Sequence, residues 1–166
     1  MVEKISDVKK ANAAGAYQAG LALALSFPDI CGQVEYPSCT QVGKRYVDWC
    51  NNYLDFSETS WGGDFAANDL CGDMIYALRC AFLHSGNDDV LDTSHGGKTL
   101  TVTSFELVKP NGTIGQFGYR YKSSATEKTV EFDIEYLCDI LCQGAEKYYD
   151  SYPDKTAFDS HNCLIR

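Results

Sequence analysis

Apolar positions along the chain recur with helical spacing, then alternate in twos, then return to helical spacing. Between about Ser6 and Leu25, Tyr17, Leu21 and Leu25 fall at i, i+4 and i+8, with Ala24 on the same face, which predicts a helix. Gly15 and Gly20 weaken it or let another backbone come close, and Pro28-Asp29 ends it. A second helix is expected from Ser38 or Thr40 to Leu54, with Val42, Tyr46, Val47, Trp49 and Cys50 as its apolar stripe. Ser57–Gly63 reads as a loop. A third helix spans about Asp64 to His84, closed by Gly86-Asn87, where glycine suits a left-handed cap.

The pattern then switches to period two: Leu100, Val102, Ser104, Glu106 and Val108 alternate with Thr101, Thr103, Phe105 and Leu107. Pro110-Asn111-Gly112 is a turn signal, Ile114 to Tyr121 reads as a returning strand, and Thr129 to Phe132 as a third. Asp133 is placed to cap a last helix reaching about Tyr149, with Ile134, Leu137, Cys138, Leu141 and Ala145 on its buried side. No repeat or Pro/Gly/Ser-rich linker divides the 166 residues. The expected fold is mainly α: one domain over residues 1–166, a helical bundle with a small antiparallel β-sheet inserted before the last helix.

On a helical wheel, the third helix has two unlike faces. Ala67, Leu70, Met74, Ala77, Leu78 and Ala81, extended by Cys71, Ile75 and Phe82, form a core face. Opposite stand Asn68, Asp69, Gly72, Asp73, Tyr76, Arg79, Cys80, Leu83 and His84. A solvated face would carry Lys and Glu. This one mixes charges with small and apolar groups, and a glycine inside a helix costs about 1 kcal/mol against alanine, so close approach of another helix is its expected reason.

Here a resemblance enters. Leu78-Arg79-Cys80-Ala81-Phe82-Leu83-His84-Ser85-Gly86 is similar to the Arg-x4-His motif of HEPN-domain proteins, including the apolar residue before Arg and the Gly soon after His. The resemblance implies a helical-bundle homodimer in which two copies of the motif form one cleft, as in the metal-independent ribonucleases of that superfamily. RNA would be the substrate. Arg79 would steady the scissile phosphate, and His84 would move a proton as the ribose 2′-hydroxyl attacks. Asp69, Asp73 and Tyr76 would support them. One departure stands out: the position after Arg, often Asn, Asp or His in active members, is Cys80. The alternative is a non-catalytic HEPN-like module using the same face for regulation or for a partner protein. A plainer reading pairs Arg79 with an acid on a solvent-facing helix and predicts a monomer.

Charge and cysteine content narrow these choices. A net charge of −9 repels polyphosphate and anionic membranes at long range, which leaves room only for a local RNA site. Eight cysteines in a chain of this length and helicity read as buried thiols of a cytoplasmic protein. The apolar run Ala19 to Phe27 is too short to span a bilayer and lacks the flanks of a signal peptide. Cys138 with Cys142, and Cys31 with Cys39, lack the Cys-x-x-Cys knuckle of structural zinc, so no metal or other cofactor is expected. Tyr148, Tyr149 and Tyr152 are read as packing groups, since no basic groove accompanies them.

Overall fold

A computed structural model describes residues 1–55, 72–85, 104–109, 119–123 and 128–161. The first expected helix is in fact two, α1 (Val2–Ala13) and α2 (Tyr17–Ala24). Gly15 separates them at φ +74°, a left-handed conformation that side chains other than glycine's resist. The Gly15 N–H donates to Asn12 O and the Ala16 N–H to Ala11 O, the paired bonds of a Schellman ending. Pro28 likewise opens a helix instead of ending one. It lies in the first turn of α3 (Phe27–Glu35), where its missing N–H costs nothing.

The next helix, α4, runs Val42–Tyr53 and buries Tyr46, Val47, Trp49 and Cys50 of the expected stripe, whereas Val42, at its first position, is exposed. α5 is described over Gly72–Cys80 and passes into a π-helical turn, Ala81–Ser85. The last long helix, α6, covers Ile134–Ser151. Its cap is Asp133, whose Oδ1 accepts from the backbone N–H groups of Glu135 (2.9 Å) and Tyr136 (3.0 Å). A 3₁₀ turn, Lys155–His161, follows. α6 packs against α1, α2, α3 and α4, so its apolar stripe is the middle of the bundle. Leu137 and Leu141 are fully buried there, in one core with Leu21, Leu25, Phe27 and Trp49.

The sheet corrects the expected topology. Its strands are β1 (Ser104–Val108), β2 (Tyr119–Ser123) and β3 (Lys128–Asp133), in the order β1-β3-β2. β2 and β3 pair antiparallel, but β1 and β3 are parallel, with Phe105 opposite Val130 and Leu107 opposite Phe132. The sheet is therefore mixed, and not antiparallel throughout, although it does precede the last helix. The physical reason lies in β3. Val130 and Phe132 are both fully buried, and Asp133 leads directly into α6, so this strand is drawn to the centre and separates β1 from β2. The Pro110–Gly112 turn lies outside the described residues.

The described cysteines are free thiols, and Cys31, Cys50, Cys138 and Cys142 are buried. Burial first, then nearby negative charge, pushes the thiol pKa up to about 12 in Cys142. Burial likewise raises that of Cys138 to about 11, partly offset by a hydrogen bond with Asn12. Such groups behave as core residues and not as nucleophiles. Among the described residues, no helix is long and apolar enough to cross a membrane.

Candidate functional site

α5 is brought against α4 at its first described residue. A Cβ on Gly72 would lie 2.4 Å from the carbonyl oxygen of Val47, and the Gly72 N–H donates to Asn51 Oδ1 at 2.7 Å. The glycine thus has the reason expected of it, a close helix crossing within the chain. The described part of the core face is as the pattern predicts: Met74, Ile75, Ala77, Leu78 and Ala81 are buried and Phe82 is half-buried, while Ala67, Leu70 and Cys71 lie outside the described residues.

The opposite face does not simply meet solvent. Over its described turns it is largely covered by neighbouring helices. Asp73 is buried. The Tyr76 ring packs against that of Tyr46 on α4, with centroids 5.3 Å apart. Arg79, one turn further on, reaches α3. Its Nε and Nη2 both donate to Asp29 Oδ2, at 3.0 and 2.7 Å, and the two side chains are 16% and 18% exposed. The guanidinium carbon lies 5.7 Å from the Tyr46 ring centroid and 5.8 Å from that of Tyr76, within the range of cation–π attraction. Tyr46 is itself fixed, since its hydroxyl donates to Leu25 O at the end of α2 (3.1 Å). Three helices, α3, α4 and α5, therefore meet around one cation.

The electrostatics follow from that enclosure. Burial alone would lower the Arg79 pKa, but the charge and hydrogen bonds of Asp29 outweigh it, so the pKa rises and the guanidinium stays charged. Burial raises the phenols of Tyr46 and Tyr76, with the Cys80 thiol adding to the effect on Tyr76. Both phenols stay neutral donors near neutral pH. Arg79 turns its Nε/Nη2 edge to the carboxylate, and planarity points its Nη1 corner elsewhere.

His84 lies in the π-helical turn, its backbone described and its side chain not. The turn matters for the motif. Residues five apart on an ideal α-helix stand about 140° from each other, since each step turns roughly 100°. A π turn closes i→i+5 bonds and winds more slowly, which narrows that angle but still leaves the His84 position well round the helix from Arg79. Leu83, beside it, is an exposed large apolar residue.

Of the anticipated site residues, Arg79 and Tyr76 are thus brought together. Asp73 is buried on the same helix, and Asp69 lies outside the described residues. The carboxylate that meets Arg79 is Asp29, fifty positions away in sequence, and no local spacing could have revealed it. The one readable signal was Pro28, which favours the first turn of a helix and would have put Asp29 on α3. Compared with known proteins, the chain matches no family model, no curated protein and no solved structure.

Proposed function

We propose that this is a cytoplasmic, HEPN-like homodimer whose Arg79 and His84, from both copies, form a metal-independent endoribonuclease site. The observation that supports the reading is the π-helical turn Ala81–Ser85, a rare break in the helix that contains the His84 position five residues beyond Arg79. π turns cluster at functional sites because they break the regular bond ladder at some cost.

In the reaction, one imidazole takes the proton of the ribose 2′-hydroxyl while the 2′-oxygen bonds to phosphorus. The bond from phosphorus to the 5′-oxygen breaks, and the leaving oxygen takes a proton from an imidazolium, giving a 2′,3′-cyclic phosphate and a 5′-hydroxyl. Arg79 neutralises charge on the non-bridging oxygens of the crowded phosphorus. The test is cleavage of RNA in EDTA with end-group analysis. His84→Ala is expected to slow cleavage by about 10²–10⁴-fold. Arg79→Lys, which keeps the charge but loses the planar fork, is expected to slow it as well. A clean dimer that cleaves no RNA overturns the reading.

A second reading has its own support. Asp29 balances the Arg79 charge, and Cys80 stands where active HEPN proteins often carry a polar group. These features favour a non-catalytic HEPN-like module in which the end of α5, around the exposed Leu83, binds a second copy or a partner protein. It predicts an inert dimer in light scattering, whereas an unrelated helical protein predicts a monomer.

A further inference from the structure

The geometry points to Asp29 as a positioning residue for Arg79, setting the orientation in which the guanidinium meets phosphate; this rests on the ribonuclease reading above. An arginine has four side-chain torsions, and a guanidinium that swings freely contributes little to a transition state. Here one carboxylate oxygen, Asp29 Oδ2, receives both Nε and Nη2 and so fixes the guanidinium by one edge. The rings of Tyr46 and Tyr76, packed on each other, lie together on one side of the guanidinium carbon at nearly equal distances, and Tyr46 is tied to Leu25 O. Asp29 belongs to α3, Tyr46 to α4 and Arg79 to α5, so the orientation is set by how three helices pack. Both charged side chains retain some exposure, so the pair is held without being sealed. The edge contact leaves the cation charged and aimed.

The experiment compares full-length wild type, Asp29→Asn and Asp29→Glu for cleavage of one RNA oligonucleotide in EDTA, with kcat and KM normalised to folded dimer. Asp29→Asn keeps the shape and removes the charge, and its kcat is expected to fall about 10- to 100-fold while KM changes little. Asp29→Glu, which restores a carboxylate at a longer reach, is expected to lie between it and wild type. If Asp29→Asn does not fold, Asp29→Glu decides alone: kcat below wild type supports the proposal, and kcat equal to wild type overturns it. A lower melting temperature with unchanged kcat in Asp29→Asn means a purely structural pair and overturns the proposal while sparing the ribonuclease reading. A higher kcat overturns it too, because Asp29 would then be competing with phosphate. If wild type cleaves nothing, the ribonuclease reading falls and the proposal falls with it.

Discussion

Two carboxylates on α3 are met by other helices in opposite ways. Asp29, near its start, faces a cation, Arg79 of α5. Glu35, at its end, meets neutral donors among the described residues: Tyr53 of α4 gives its hydroxyl to Oε1 (2.9 Å) and Tyr148 of α6 gives its hydroxyl to Oε2 (3.0 Å). The rings behind Glu35 form a continuous aromatic block, with Tyr53 and Tyr148 centroids 4.7 Å apart, Trp49 beside both, and Phe158 against Tyr148, Tyr149 and Tyr152. The terminal tyrosines are thus packing groups, as their setting in the sequence suggested. An ion pair hides two charges at once, while a carboxylate held by phenols keeps its charge and raises the pKa of its donors. The first arrangement joins α3 to α5 through an ion pair, and the second joins α3 to α4 and α6 through neutral hydrogen bonds.

Substitutions break the comparison at different strengths. Tyr148→Ala removes a buried ring from the aromatic block along with one Glu35 donor, and is expected to cost about 3–5 kcal/mol in urea unfolding. Arg79→Ala leaves Asp29 without its cation. A sealed pair would lose more, but the partial exposure of this one limits the expected cost to about 1–2 kcal/mol. In a double-mutant cycle, Asp29→Ala with Arg79→Ala should recover part of that loss, whereas independent sites would simply add. Tyr148→Phe keeps the ring and loses one hydrogen bond, for about 1 kcal/mol.

The smallest effect separates the two regions by pH. Burial, then the hydrogen bond to Glu35, raises the Tyr53 pKa from 10.0 to about 12. A phenol that holds its proton longer when folded stabilises the fold fully below pH 10, and that contribution is lost as pH rises through about 12. Denaturant midpoints should therefore fall across this window, less steeply in Tyr53→Phe. Asp29→Asn should change the slope less, since it removes no phenol of the Glu35 joint and acts only through its smaller charge effect on Tyr46 and Tyr76. An equal change of slope in both variants would show that the two carboxylates do not act separately.

Some of this was legible from short stretches of sequence. The capping of α6 by Asp133, the stripe of α4, and the buried face of α5 with the glycine at its helix crossing all depend on residues within a few turns of one another. Gly15 was visible as a weak point, yet whether it bends, breaks or merely loosens a helix depends on what the flanking segments pack against. Pro28 was misread because proline ends one helix and begins another by the same property, a fixed φ without an N–H.

Arg79, the His84 position and their spacing came from the sequence alone, as did the mainly helical class, because periodicity and caps are written into neighbouring residues. The tertiary structure decided that β3 lies between β1 and β2, that α4 covers part of the polar face of α5, and that Asp29 holds Arg79. Those outcomes join segments twenty to fifty residues apart. Their energies come from apolar burial and paired charges that exist only once the helices have met, so no local pattern could carry them.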